Sequence, residues 1–228
     1  MIEFLFLDLD DTILDFHMQE SVAIRKTLLG VGVEPTEDNC ALYSKINLRH
    51  WKMLEKGEIT REELIWHRFA ELFDVLGVTA DPKQTAENYM DNLSQGHYFL
   101  PGAEKSVQQL ALKYRLYIAS NGTARVQEKR LASSGLNRYF ERIFISQNIG
   151  VNKPDKGFFD GCFAQIPNFD PAKAMIVGDS LSSDIRGGKN AGILTCWVNP
   201  KGKIAPPEDK PDFEIKSITE LEELLKKL

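Results

Sequence analysis

The sequence lacks the features that define several common classes of protein. It has only three cysteines, an odd number without a C-x-x-C pair, so we expect reduced thiols and neither a disulfide framework nor a zinc knuckle. No apolar stretch approaches the roughly 20 residues that span a bilayer, and no basic segment follows Met1. The 28 Lys and Arg residues, against 33 Asp and Glu, form no basic block, which argues against a nucleic-acid polymer as ligand. These absences favour a cytoplasmic globular protein that binds a small molecule.

Six short runs rich in β-branched and aromatic residues recur along the chain. Their nearly continuous hydrophobicity is typical of strands that are covered on both faces, as in a parallel sheet. The runs are EFLFL, RLYIAS, RIFIS, AMIVG, LTCWV and DFEI. Helical patterns alternate with them from residue 101 onward, and the last, SITELEELLKKL, begins with a capping-box pattern at Ser217 and Glu220. We therefore predict an α/β fold with a Rossmann-like, doubly wound parallel sheet.

Residues 16–96 have a different pattern from the rest of the chain. They contain no convincing strand but several helical stretches, one of which begins at a capping box formed by Thr60 and Glu63. This predicts an all-helical cap inserted after the first strand. The core domain is then discontinuous and consists of residues 1–15 and 97–228.

Three of the predicted strands end in polar residues. FLFL is followed by Asp8 and Asp10, LYIA by Ser120 and Asn121, and MIVG by Asp179. In open parallel sheets, ligands bind outside the carboxyl ends of the strands. We therefore expect these side chains to lie close together, although they are far apart in the sequence.

The converging groups offer oxygen ligands without histidine or cysteine, a set that favours Mg²⁺ over zinc or copper. Two carboxylates about 4 Å apart repel by roughly 4 kcal/mol at an effective dielectric constant of about 20, so the cluster requires a cation or a proton. Asp184 follows Asp179 closely enough to join it. Lys153, in VNKPD, can neutralise a carboxylate and a phosphate oxygen. Such an ensemble is what phosphoryl transfer requires.

The segments DLDDT, SNG, NKPD and GDSLSSD resemble, in this order, the four motifs of the haloacid dehalogenase (HAD) superfamily, and the helical insertion resembles its type-1 cap. The resemblance implies that Asp8 is a nucleophile that forms an aspartyl-phosphate. It implies that Asp10 protonates the leaving oxygen and then activates water. The dehalogenase branch has no carboxylate at the position of Asp10, so dehalogenation is disfavoured.

The resemblance also implies the remaining roles in the site. The groups that bind the phosphate would be Ser120, Asn121, Gly122 and Lys153. The groups that bind Mg²⁺ would be Asp8, the backbone carbonyl of Asp10, Asp179 and, through water, Asp184.

Residues 46–69 resemble the cap of the YjjG-type pyrimidine 5′-nucleotidases, in which Asn47 and Trp51 have counterparts. This resemblance implies hydrolysis of pyrimidine nucleoside monophosphates. Trp51 can stack on a base while Asn47 or Arg49 hydrogen-bonds the base edge, but residues at this helical spacing can equally form the interior of the cap. The candidate specificity residues are Phe16, Asn47, Arg49, His50 and Trp51.

The sequence therefore predicts a Mg²⁺-dependent phosphomonoester hydrolase, with a pyrimidine nucleotidase as the leading candidate. A sugar phosphate phosphatase, a phosphoglycolate phosphatase or a phosphomutase of the same superfamily is the alternative. From a different class, a phospho-accepting regulatory module could use the same acidic site without turnover. No oligomeric state is predicted.

Overall fold

The computed structural model describes all 228 residues, which form two compact units. The first unit comprises Met1–Phe16 and His97–Leu228, and the second comprises His17–Gly96. The sequence predicted a helical cap over residues 16–96, to within a few residues; in the structure the first helix begins at Phe16 and the second unit begins at His17.

The first unit is built on six parallel strands. They are β1 (Phe4–Leu7), β2 (Arg115–Ser120), β3 (Arg142–Ile145), β4 (Ala174–Gly178), β5 (Leu194–Val198) and β6 (Phe213–Ile215). Their order in the sheet is β3-β2-β1-β4-β5-β6, and every neighbouring pair is parallel. All six predicted strands form, and the predicted doubly wound α/β fold is confirmed. The central strand β1 lies at the point where the strand order reverses, which is where open α/β sheets bind their ligands.

Successive side chains of β1 point to opposite faces of the sheet, as the period of two requires. Leu5 and Leu7 belong to one apolar core, while Phe4 and Phe6 belong to another on the opposite face. Phe6 stacks on Tyr117 with ring centroids 5.2 Å apart. Both faces of the sheet are therefore covered, which explains why the strand sequences are apolar throughout.

Ten α-helices accompany the sheet, the first four within residues 16–94. They are α1 (Phe16–Gly30), α2 (Glu37–Glu55), α3 (Arg61–Leu76), α4 (Pro82–Ser94), α5 (Ala103–Leu110), α6 (Ala124–Ser134), α7 (Ser146–Ile149), α8 (Lys156–Phe163), α9 (Arg186–Ala191) and α10 (Leu221–Leu225). None of these helices has the length and hydrophobicity that crossing a membrane requires.

Two capping boxes predicted from the sequence have different outcomes. At α3, the Thr60 hydroxyl accepts from the Glu63 N–H and the Glu63 carboxylate accepts from the Thr60 N–H, so the prediction is confirmed. Near the C-terminus the prediction is wrong, because the Ser217 hydroxyl accepts from the N–H of Thr219, and the Glu220 carboxylate accepts from the N–H of Lys216. A single 3₁₀ turn follows Ser217, and α10 begins only after it.

Candidate active site

The carboxyl end of β1 places Asp8 at the centre of the sheet. The Asp8 N–H donates to the carbonyl oxygen of Val177 at 2.9 Å, which continues the pairing with β4 beyond the last residue of β1. The chain then turns sharply at Asp11, whose φ of 56° lies in the left-handed region. The Asp11 carboxylate accepts from the Phe16 N–H at 3.0 Å and closes this turn. Asp11 therefore shapes the loop that carries Asp8 and Asp10.

The ammonium group of Lys153 is buried against Asp8. It donates to Asp8 Oδ1 at 2.8 Å, to Asp184 Oδ1 at 2.6 Å and to the carbonyl oxygen of Ala119 at 2.5 Å. The side chain of Asn121 holds the lysine loop in place, since its amide donates to the Lys153 carbonyl and accepts from the Lys153 N–H. The Asn121 side chain therefore ties the loop of Lys153 to the carboxyl end of β2.

Charges in this cluster shift one another's pKa values. Burial, with further contributions from Asp184 and Asp10, raises the pKa of Asp8 to about 8 although Lys153 opposes the shift. Burial and the neighbouring carboxylates likewise raise the pKa of Asp179 well above its ordinary value. Burial alone would lower the pKa of Lys153, but Asp184 and Asp8 outweigh it and raise this pKa. One ammonium therefore does not balance the negative charge of the cluster.

Asp184 reaches this cluster from a single π-helical turn, Leu181–Ile185, directly before α9. Its Oδ1 accepts from Lys153 and its Oδ2 accepts from the Ser180 N–H at 3.0 Å. The carboxylate lies against Gly178 at the end of β4, where an added Cβ would come within 2.2 Å of Asp184 Oδ2. Glycine at position 178 is thus what allows Asp184 to pack beneath the strand end.

The three carboxylates Asp8, Asp179 and Asp184 fit a divalent cation. Each offers an oxygen, and these oxygens all lie within 4.8 Å of one another. The loop of Asp179 is fixed because the indole N–H of Trp197 donates to the Asp179 carbonyl at 2.8 Å. An all-oxygen donor set with uncompensated negative charge suits Mg²⁺. Both oxygens of Asp184 already accept hydrogen bonds, from Lys153 and from the Ser180 N–H, which hold this carboxylate beside Asp8.

The Ser120 hydroxyl, at the end of β2, is oriented by two donors. Its oxygen accepts from the Gly122 N–H at 3.1 Å and from Gln127 Nε2 at 2.9 Å. A hydroxyl oxygen has two lone pairs, so its own hydrogen remains available to donate. Ser120 is therefore prepared to donate a hydrogen bond to an anionic group such as a phosphoryl oxygen.

Two residues that we did not single out in the sequence, Gln127 and Arg130, bind the carboxylate of Asp10. Gln127 Nε2 donates to Asp10 Oδ2 at 2.7 Å, and Arg130 Nη1 donates to Asp10 Oδ1 at 2.5 Å. Both residues are buried on α6 together with Val126 and Leu131. Polar residues at core positions of an amphipathic helix were the signal that could have revealed them.

Five residues were predicted from the sequence to determine substrate specificity, and four of them lie on α2 of the helical unit. Asn47 is buried inside that unit, where its amide donates to Glu20 and accepts from Arg68 at 2.7 Å. Arg49 and His50 both bind the carboxylate of Glu71.

The remaining two candidates each lie near an arginine. The guanidinium of Arg61 lies 5.5 Å from the ring centre of Trp51, and that of Arg130 lies 5.9 Å from the ring centre of Phe16. The structure thus brings Asp8, Asp10, Ser120, Lys153, Asp179 and Asp184 together in the first unit, while substrate contacts by the specificity candidates remain predictions.

The family of haloacid dehalogenase-like hydrolases matches residues 5–198 of the chain. The chain therefore belongs to this family, and the prediction of an enzyme of the hydrolase class is confirmed.

Three proteins are similar to the chain over almost its whole length. It is 39% identical to the HAD-hydrolase YfnB of Bacillus subtilis over 97% of this chain and 94% of that protein. It is 38% identical to the pyrimidine 5′-nucleotidase PynA of Streptococcus pneumoniae over 99% of this chain and 95% of that protein. It is 32% identical to the pyrimidine 5′-nucleotidase YjjG of Escherichia coli over 98% of this chain and 97% of that protein. The crystal structure of YfnB bound to magnesium matches with a TM-score of 0.94 over 98% of each chain. The predicted similarity to YjjG-type proteins is thus confirmed.

Proposed function

We propose that the chain is a Mg²⁺-dependent phosphomonoesterase that hydrolyses pyrimidine nucleoside 5′-monophosphates through an aspartyl-phosphate. The observation that supports this most is the contrast between the two carboxylates after β1. Asp8 is buried against the ammonium of Lys153, whereas Asp10 is partly exposed and bound by Gln127 and Arg130. Two nearby carboxylates in such different surroundings are suited to different roles in one reaction.

In the proposed reaction, the Asp8 carboxylate attacks the phosphorus and the bond to the nucleoside oxygen breaks. Asp10 gives a proton to that oxygen, so the nucleoside leaves as an alcohol. The Ser120 hydroxyl and the Lys153 ammonium hold the phosphoryl oxygens during the transfer. Asp10 then accepts a proton from water, which attacks the aspartyl-phosphate, releases inorganic phosphate and regenerates Asp8.

The ion would be held by Asp8, the backbone carbonyl of Asp10 and Asp179, with Asp184 acting through water. Bound there, Mg²⁺ supplies positive charge that offsets the repulsion between the Asp8 carboxylate and the phosphoryl oxygens. The magnesium-bound structure of YfnB, 39% identical, supports this choice of metal.

The proposed substrate class rests on similarity along the entire chain to PynA and YjjG. In this proposal the helical unit, residues 17–96, acts as the cap that selects the substrate. The substrate is a free nucleotide, and the proposal includes neither a nucleic-acid polymer nor a membrane as partner. We place the enzyme in the cytoplasm, where its three unpaired, buried cysteines would stay reduced.

A panel of phosphate esters tests the proposal. We expect the highest kcat/KM for pyrimidine mononucleotides such as UMP and dTMP, with lower values for purine mononucleotides, sugar phosphates and phosphoglycolate. The measurement is release of inorganic phosphate with Mg²⁺ and with EDTA. The Asp8→Asn variant should lose activity by more than about 1000-fold, because its amide cannot act as a nucleophile. Asp160→Asn, at an exposed position of α8, is the matched control.

Each alternative gives a different result in this panel. Preference for a sugar phosphate or phosphoglycolate would replace the nucleotide proposal with another phosphatase. Conversion of a sugar phosphate to its isomer with little phosphate release would indicate a mutase. A stable phosphorylated Asp8 with negligible turnover would indicate a regulatory module, and an active Asp8→Asn variant would refute the nucleophile.

A further inference from the structure

We propose that Gln127 and Arg130 form a brace that positions Asp10 for proton transfer to the leaving group, an inference that rests on the proposed function. The brace consists of these two side chains, one helical turn apart on α6. Each contacts a different oxygen of the Asp10 carboxylate, Gln127 at Oδ2 and Arg130 at Oδ1.

The contacts form a closed network. Arg130 Nη1 donates both to Asp10 and to Gln127 Oε1, the latter at 2.8 Å. Gln127 Nε2 donates both to Asp10 and to the Ser120 hydroxyl oxygen. The carboxylate thus has a donor on each oxygen, which blocks rotation of the group. Through Gln127 it is also tied to the hydroxyl that is expected to bind the phosphate, so the brace fixes the proton carrier relative to the phosphoryl group.

The burial of Arg130 argues against a purely structural role. Arg130 is the largest fully buried side chain of the protein, yet its Nε and Nη2 make no hydrogen bond within the chain. A guanidinium can donate five hydrogen bonds, and leaving buried donors unpaired is unfavourable to the fold. The carboxylate that Arg130 contacts is that of Asp10, which carries the proton in the proposed mechanism.

The local sequence is adapted to the brace. An added Cβ at Gly122 would come within 2.4 Å of Gln127 Nε2, so a larger residue after Asn121 would displace the amide that contacts Asp10. The guanidinium of Arg130 also lies beside the ring of Phe16, which follows the turn formed by Asp11. The elements on both sides of Asp10 therefore support its position.

The test compares two esters that differ in their need for a proton. The nucleoside oxygen of UMP must be protonated as it leaves, whereas the nitrophenolate of p-nitrophenyl phosphate leaves without a proton. The value of kcat/KM reports the steps up to departure of the leaving group. For Arg130→Met and Gln127→Met we expect kcat/KM to fall about 100-fold with UMP and less than about 10-fold with p-nitrophenyl phosphate. Lys129→Met, exposed on the same helix, should behave like the wild type.

A second readout separates positioning from a general disturbance. In an Asp10→Asn background, Arg130→Met should cause no further loss with UMP, since both changes act on the same proton transfer. Melting temperatures identify any variant that fails to fold, and Gln127→Met, which keeps the shape of the side chain, then carries the test alone.

The outcomes distinguish this inference from the proposed function. If the wild type hydrolyses the esters but the variants lose activity equally on both, or if the losses add to that of Asp10→Asn, the brace is refuted and the phosphatase proposal stands. If the wild type hydrolyses neither ester, both fail.

Discussion

At the scale of single residues, Lys153 holds the acidic site together. Its ammonium lies between Asp8 and Asp184 and has lost nearly all contact with solvent. The buried ammonium and its carboxylate partners depend on one another, because removing either one leaves the other as an uncompensated buried charge, which is strongly disfavoured. In the proposed mechanism the same contact also holds Asp8 in place for attack, so the stability of the site and its chemistry would depend on one side chain.

Lys153→Met should therefore lower both activity and stability. Removing one partner of a buried ion pair leaves the other uncompensated and costs about 3–5 kcal/mol of the free energy of unfolding. Urea unfolding in EDTA measures this loss. Lys156→Met, which breaks an exposed pair with Asp160 on α8, is the matched control and should change stability little. A Lys153→Met protein as stable as the wild type would contradict the role assigned to this ammonium.

At the scale of elements, the strands were predictable and the short turns between them were not. Continuous apolar runs identify buried parallel strands, since each strand has the same environment on both faces. The polar residues that follow these strands then indicate which side chains lie close together, because the carboxyl ends of parallel strands meet at one edge of the sheet. The brace on α6 was not apparent, because Gln127 and Arg130 match the polar composition of their helix and only their position on the buried face sets them apart.

The turn before α10 and the turn before α9 also could not be predicted from the local sequence. The Ser217 and Glu220 pattern matches a capping box, but its hydrogen bonds shift by one residue into a 3₁₀ turn. The π-helical turn that carries Asp184 depends on the space left by Gly178. Both are decided by tertiary contacts that a local pattern does not contain.

Gly178→Ala tests how the end of β4 positions Asp184. The new Cβ would overlap the Asp184 carboxylate, so that side chain must leave the position in which it accepts from Lys153 and Ser180. We expect a loss of about 1–3 kcal/mol in the free energy of unfolding, typical of overpacking, together with weaker Mg²⁺-dependent activity. Denaturant unfolding and activity against Mg²⁺ concentration measure the two effects.

Gly30→Ala, at the end of α1, provides the control for this substitution. Its Cβ would meet nothing within 4 Å, so both stability and activity should stay near those of the wild type. Equal behaviour of the two alanine variants would show that Asp184 does not require the space at position 178.

At the scale of the whole molecule, the proposed metal site would couple Mg²⁺ binding to folding. Only the folded chain brings Asp8 and Asp184, 176 positions apart, into one cluster with Asp179. A ligand that binds the folded state alone stabilises it, by about 2.7 kcal/mol at a concentration 100 times its Kd. Mg²⁺ should therefore raise the melting temperature of the wild type in proportion to the logarithm of its concentration once the site is nearly saturated.

The Asp179→Asn variant should separate the stability of the metal-free protein from its stabilisation by Mg²⁺. It removes one of three mutually repelling carboxylates, so without metal the variant should be at least as stable as the wild type. It also removes a ligand, so the increase in melting temperature with Mg²⁺ should largely disappear. The wild type and Asp160→Asn, which alters an exposed carboxylate outside the cluster, should both keep the full increase. An unchanged Mg²⁺ response in Asp179→Asn would place the ion elsewhere, whereas loss of stability in EDTA would mean that Asp179 supports the fold without the metal.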